Sequence, residues 1–426
     1  MRFLTTLSGR SAAVGVALSA CTLAAGALAA SPAEAVPSGT LSPAPIAATA
    51  WTVRVLPSTA ALSVPSFLLD EGIVVGTDAT TEIYGQGRPW TWSPATGRRS
   101  LSLGGADWGM VSAAPGPRGI VGTTYRSDPE TGLISTAVRW VGGRPAALLP
   151  DTTQTSAAQT ANREGDAVVA QGLEGSGTTS LLVRGQAPVP LPLYSGREVG
   201  RSMNAAHQII ISSLGPGTIG PISYGIFQDG QLVQLGLSGI RDFPPCVGDI
   251  TDSGYVAGSQ YAQFGDLRRQ TIVWRAGVRT VLPDDGLSAS IPCSRHPVNE
   301  AGDVVGTLSV VPPRPGQPLP EGPPTRTVVW RGGQYVVLAV DSPQESVRPI
   351  AINDCGAVLA MVTPAGGLPR PAVYFGGTRR LLPVPAGLTN VSALDINERN
   401  QVIGSGTRTV AGTTRTVPVF WTPRTS

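Results

Sequence analysis

The scarcest reactive groups in the chain are two histidines, His207 and His296, and four cysteines. His296 closes the run Cys293-Ser294-Arg295-His296, and Cys246 lies one repeat upstream. Cys246, Cys293 and His296 could in principle supply three metal ligands, but no fourth has motif spacing, so no metal site is expected. Cys246 and Cys293 instead read as a disulfide candidate. They lie five and six residues before Thr251 and Asn299, at nearly equivalent places in two repeats. His296, with Asp249 and Asp395, is the set best suited to acid–base chemistry. His207 fills a turn slot where other repeats carry Gly or Asn, which points to a structural role. Much chemistry is excluded. All 31 basic side chains are arginine, so neither a Schiff-base lysine nor a phosphate-loop lysine exists. No H-E-x-x-H pair and no G-x-S-x-G elbow occur. The formal charge of +3 over 426 residues is too small to imply nucleic-acid binding. No cofactor is called for.

Residues 1–35 read as an export signal. Arg2 and Arg10 provide positive charge, and Ser11 to Ala30 is small, apolar and uncharged. Of two A-x-A patterns, Ala33-Glu34-Ala35 places cleavage before Val36. The alternative is a lipoprotein anchored through Cys21, in Leu18-Ser19-Ala20-Cys21, although apolar sequence runs on past that cysteine. No later run is long enough for a transmembrane helix. Export permits disulfides. Residues 36–50 read as a disordered Pro/Ala-rich spacer.

The elements that would position the reactive groups come from a repeat. LDEGIVVGT (69–77), TDSGYVAGS (251–259), NEAGDVVGT (299–307) and NERNQVIGS (397–405) share the form N/D-x-x-G-x-V-x-G-small. Weaker copies stand at 116–123, 162–169, 204–211 and 353–360, and the mean spacing is near 47 residues. A second signature follows each anchor. It is an apolar strand ending in an aromatic, then a Gly turn, then another strand, as in VVWRGGQYVVL (328–338). The aromatic slot holds Trp92, Trp140, Phe227, Trp274, Trp330, Tyr374 and Trp421, with Val183 in one repeat. These residues are assigned to the core between neighbouring repeats.

Each repeat holds four short strands bounded by Gly, Pro or Asn, and no segment after residue 50 carries a helical period. The N-x-x-G segments read as turns in which Gly supplies positive φ, not as calcium loops, because their acidic content varies. The fold class is all-β, and residues 51–423 are expected to form one β-propeller. Eight four-stranded blades are the first choice and seven the runner-up. The last repeat lacks a fourth strand, and the orphan strand Trp51–Leu56 is expected to complete it and close the ring. Small-residue strands such as Ser202–Ala205 belong next to the axis, and the L-L-P strands outermost. The pattern resembles the HAF-type extracellular repeat family of bacterial secreted proteins, over nearly all of residues 51–423. The family's His-Ala-Phe tripeptide is absent: Thr136-Ala137-Val138-Arg139 stands before Trp140. The resemblance implies a secreted, propeller-like scaffold and carries over no catalytic residue.

Strand parity sorts the loops into a tight-turn face and a face of long, varied loops. Binding is expected on the latter. Its candidates are Tyr84, Tyr125, Arg126, Asp128, Tyr261, Phe264, Arg268, Arg269 and Arg295. The expected function is a non-enzymatic, monomeric binding module outside the cell or at its envelope, for a glycan, peptide or protein. The alternative is a hydrolase or lyase with its site near the central channel.

Overall fold

The computed structural model describes residues 50–79, 87–150, 155–172, 177–191, 198–214, 221–236, 245–261, 268–292, 296–309, 325–342 and 344–424. The signal and spacer readings fall outside them. The described residues form thirty-two strands and no helix.

The strands group into eight four-stranded antiparallel units, numbered here in chain order. Five are separate sheets: unit 3 (156–190), unit 4 (198–234), unit 5 (246–281), unit 6 (288–337) and unit 7 (346–381). The other three share a twelve-stranded sheet: unit 1 (62–100), unit 2 (108–147) and unit 8 (389–423, with the N-terminal strand Trp51–Val55). Units 8 and 1 are joined by the parallel bridge Leu62–Thr416, and units 1 and 2 by Gly87–Gly109. Trp51–Val55 lies antiparallel along the last strand, Thr413–Pro423, from Trp51 opposite Pro423 to Val55 opposite Val419.

The repeat motifs have packing reasons. In V-x-G the glycine lies between the first strand and the ring of the aromatic slot. A methyl at Gly306 would stand 2.4 Å from the Ser290 carbonyl oxygen and 2.7 Å from Trp330. Gly404 is enclosed the same way by Ser392 and Trp421. Any side chain there would push strand and ring apart, and cores do not absorb such overlap cheaply. The indoles then tie units together. Trp140, Trp330 and Trp421 each donate Nε1–H at 2.8 Å to a carbonyl beyond the fourth strand of the preceding unit: Ser102, Pro283 and Pro383. A tryptophan in this slot therefore buries a large apolar ring and satisfies a backbone acceptor at once.

All seven aromatics named for the slot are buried. Unit 1 differs from the sequence reading in one respect: Trp92 packs on Phe420 of unit 8, with centroids 5.0 Å apart, and Trp90 fills the space under Gly76. The apolar clusters fall between consecutive units. Val305, Val329 and Val358 knit units 6 and 7, and Leu68, Trp90, Ile403 and Phe420 knit units 8 and 1. The core is thus serial, added one interface at a time.

In seven units the first strand carries a register shift, for example between Gly200 and Ser202 in unit 4 and between Val247 and Ile250 in unit 5. A bulge leaves a residue out of the ladder and re-aims its side chain. Here the residues left out include Ser112, Arg201 and Asp249. Unit 6 has a shorter first strand than unit 5. Cys246 pairs with Ser259, but the residue at that register in unit 6 is Ser290, paired with Thr307. The strand Ser288–Ser290 stops there, and Cys293 is outside the described residues. Pro292 and Pro297 in the following segment have no N–H to continue a ladder.

Candidate binding cavity at the turn face

The N-x-x-G turns build this site by linking unit to unit. The first turn residue caps its own turn. Asn353 Oδ1 accepts the N–H of Ala357 at 2.8 Å, and Asn162, Asn204, Thr251, Asn299 and Asn397 repeat that bond four residues on. The side-chain amide then reaches the next unit. Asn204 donates to the Thr251 carbonyl (2.9 Å), Asn299 to Asn353 (3.1 Å), Asn353 to Asn397 (2.9 Å) and Asn397 to Leu69 (2.9 Å).

A second relay uses the residue after the asparagine. The N–H of Ala205 donates to the Asp252 carboxylate, Asp252 to Glu300, Glu300 to Asp354, Asp354 to Glu398, and Glu398 to Asp70, at 2.7–3.2 Å. The carboxylate relay runs from unit 4 through unit 8 into unit 1; the amide relay links unit 4 to unit 5 and then units 6 to 8 into unit 1, because Thr251 has no side-chain amide. Gly72, Gly254, Gly302 and Gly356 each sit under a side chain of the preceding unit; at Gly302 (φ +80°) a methyl would meet the Tyr255 ring at 2.7 Å. Two turns use another residue at positive φ, and it bonds backwards. His207 Nε2 lies 2.7 Å from Asp166 Oδ2, and Asn400 Oδ1 accepts from Asn353 Nδ2 at 2.9 Å. His207 is thus an inter-unit clasp.

Between the turns is a cavity of about 430 Å³, lined by first-strand and turn residues of all eight units. Seven carboxylates line it: Asp70, Asp249, Asp252, Glu300, Asp354, Asp395 and Glu398. Against them stand Arg163, Arg201 and His296. Arg163 is spent on an ion pair with Asp70. Arg201 donates through Nε to Ser212 Oγ at 3.0 Å. Burial pushes the Glu398 carboxyl up to about 7, and the charge of Asp354 adds to it. Asp354, exposed on one side, is pushed up by burial and by the charge of Glu300. A carboxylate cluster in this state is relieved by a cation more than by further water.

Of the sequence candidates, His296, Asp249 and Asp395 line this cavity. They do not form a catalytic dyad. His296 Nε2 is 3.9 Å from Asp395 Oδ1, beyond hydrogen-bond reach, and that oxygen accepts the N–H of Ile396 at 2.9 Å. Among the described residues no hydroxyl or thiol lies within hydrogen-bond distance of His296.

The described candidates of the long-loop face are not among the residues lining the cavity. Tyr125 stacks on Trp108, with centroids 3.6 Å apart, and its hydroxyl meets Met110 Sδ at 3.6 Å. Arg126 is exposed. Asp128 caps its hairpin turn by accepting from Glu130 and Thr131, which holds its carboxyl below the ordinary range. Tyr261 is buried under Arg269, whose guanidinium lies 5.1 Å from the ring centroid, and Arg268 is part-buried. Tyr84, Phe264 and Arg295 lie outside the described residues. Cys246 is disulfide-bonded and Cys355 is free; Cys293 lies outside the described residues.

Sequence reasoning missed Asp70, Asp252, Glu300, Asp354 and Glu398. Their signal was an acid in the slot after the first turn residue, in five of the eight repeats.

The shift at Glu398 has a consequence for stability. A carboxyl raised from its ordinary 4.5 to about 7 binds its proton more tightly folded than unfolded. Its contribution is therefore complete below about pH 4.5 and is lost as pH rises through about 7. Glu398→Gln mimics the protonated form and can still accept from Asp354. At pH 8 the variant is expected to be more stable than the native chain by about 1–2 kcal/mol, after allowing for solvent screening of a partly exposed group. Near pH 4.5 the two should coincide. Urea denaturation at both pH values checks this, and equal stability at pH 8 would refute it.

No protein-family model matches the chain, and no curated protein does. Solved structures are similar at the level of strand arrangement. A puromycin-hydrolyzing peptidase of Mycobacterium tuberculosis is 12% identical, with a TM-score of 0.44 over 86% of this chain and 60% of its own. Dipeptidyl peptidase 4 of Porphyromonas gingivalis is 8% identical, with a TM-score of 0.47 over 85% and 59%. The Aleuria aurantia lectin AAL is 12% identical, with a TM-score of 0.31 over 64% and 97%. The chain thus spans about three fifths of each peptidase's length.

Proposed function

We propose that this chain is a secreted, eight-bladed β-propeller that acts as a non-enzymatic binding module for a ligand bearing an ammonium or guanidinium group. The observation that carries the ligand class is the cavity: seven carboxylates converge on about 430 Å³, and one of the two arginines lining it is already paired. Rigid concave sites with convergent polar groups are the usual seats of small ligands. Support for the propeller comes from eight four-stranded units, from Trp51–Val55 lying along the last strand, and from the bonds of Asn397 and Glu398 to Leu69 and Asp70. Support for export is the residue pattern of 1–35, with cleavage before Val36. A Cys246–Cys293 disulfide belongs to the same reading, and a non-reduced digest of secreted material would show it as one linked peptide.

A hydrolase or lyase is the second reading, favoured by one observation. Glu398, pushed up to about 7, is poised for proton transfer near neutrality. Glycan and peptide arrays run beside a hydrolase panel separate the two. Retention of amine-bearing features without turnover supports the binder. Turnover lost on changing Glu398, Asp395 or His296 would replace it with the enzyme.

A further inference from the structure

The second and third strands of unit 8, Val402–Val410 and Thr413–Pro423, outrun their counterparts; in unit 6 these are Val304–Ser309 and Arg326–Arg331. The last pairing to the first strand is Thr389 with Thr407, so the hairpin beyond that point projects as two strands. Its turn is Ala411-Gly412, both at positive φ (49° and 79°), the tight form that matches strand twist and keeps a hairpin stiff.

On one side of the projection, hydroxyls pair. Thr409 meets Thr414 at 3.0 Å, and Thr407 meets Thr389 at 2.8 Å. On the other side Arg408 stands directly opposite Arg415. Like charges opposed across a ladder work against the hairpin, and among the described residues no carboxylate pairs with either. Residues 399–426 contain four arginines and no acid. Arg415 is exposed and donates to the Thr59 carbonyl through Nη1 at 3.5 Å, and among the described residues the rest of its fork has no side-chain partner.

We propose that Arg408 and Arg415 together form an anion site that takes a phosphate or sulfate monoester group. Guanidinium forks match tetrahedral oxyanions bidentately, and side chains on directly opposed residues are near enough for two forks to share one such group. The site lies at the opposite end of unit 8 from the N-x-x-G turn and does not depend on what the cavity binds. An anion held here removes the like-charge conflict that the bare hairpin carries.

The test uses the full chain labelled with ¹⁵N-arginine and follows side-chain Nε–Hε resonances. Sodium phosphate and sodium sulfate are titrated in separate arms against sodium chloride of equal ionic strength. Arg408→Gln and Arg415→Gln assign the two signals. Both signals are expected to move on one saturating curve with a shared midpoint in at least one arm. The arm with the lower midpoint names the ester. In Arg408→Gln the Arg415 response should weaken at least fivefold. The threonine side is untouched by these changes, so the unaltered resonances report that the variants remain folded. Signals that move no more than in chloride, or an Arg415 response unchanged without Arg408, would overturn the site.

Discussion

Replacing Asn353 with alanine is expected to destabilise the protein by about 2–4 kcal/mol, because three hydrogen bonds go and their buried partners stay behind unsatisfied. Asn353 is 3% exposed. Its oxygen accepts from Ala357, and its amide donates to the Asn397 carbonyl and to Asn400 Oδ1. Alanine leaves a buried N–H and a buried carbonyl that water cannot reach. The damage also spreads between units, since the same side chain closes its own turn and holds the next. Chemical denaturation measures the cost. A loss below about 1 kcal/mol would mean that the turn relay is decorative.

Removing residues 51–56 should have a larger effect. Leu56 is 1% exposed, in the cluster that joins units 8 and 1, and deleting one such side chain alone typically costs about 2–5 kcal/mol. Trp51, Val53 and Val55 pack on the unit 7–8 cluster as well. Without this strand, Thr413–Pro423 becomes an open edge, which invites strand addition and aggregation. The truncated protein is therefore expected to unfold many degrees lower and to self-associate in light scattering. A peptide of sequence WTVRVLP, supplied in excess, should restore the monomer. A truncated protein that melts with the native one would contradict the role given to this strand.

The scaffold was legible in the sequence because its signals are local. A glycine beneath an indole, a proline after an outer strand and a strand that begins mid-unit each leave a mark within one repeat. Trp330 and Trp421 carry that mark and are buried, and Trp51–Val55 lies along the last strand. Trp90 was missed because unit 1 has two tryptophans two residues apart, and only the packing shows which one lies under Gly76. The cavity was harder. Glu300, Asp354 and Glu398 each bond the main chain of the preceding unit, 44–54 residues upstream. Such a bond requires only some carboxylate in a given slot, so the residues look like variable turn filler. The expectation that binding sits on the long-loop face came from loop length. Loop length records where insertions are tolerated, whereas Arg201 and Asp249 reach the cavity through strand bulges, which add one or two residues and no obvious motif.

The turn relays and the cavity are one structure. The N–H bonds that hold consecutive units together fix five of the seven lining carboxylates, so the acid cluster is preorganised by the same contacts that stabilise the fold. Preorganised like charge, shielded from water most at Glu398, is what gives a cation its advantage there. Calorimetric titration of spermine, a slender polycation, at pH 8 and low salt tests this most directly. One saturable site is expected in the native chain. Affinity should fall about tenfold or more in the Asp354→Asn/Glu398→Gln double variant, equivalent to about 1.4 kcal/mol, and should stay unchanged in Asp128→Asn, which alters a turn cap on the other face. Heats indistinguishable from dilution, or equal affinity in the native chain and the double variant, would contradict the cavity as the ligand site.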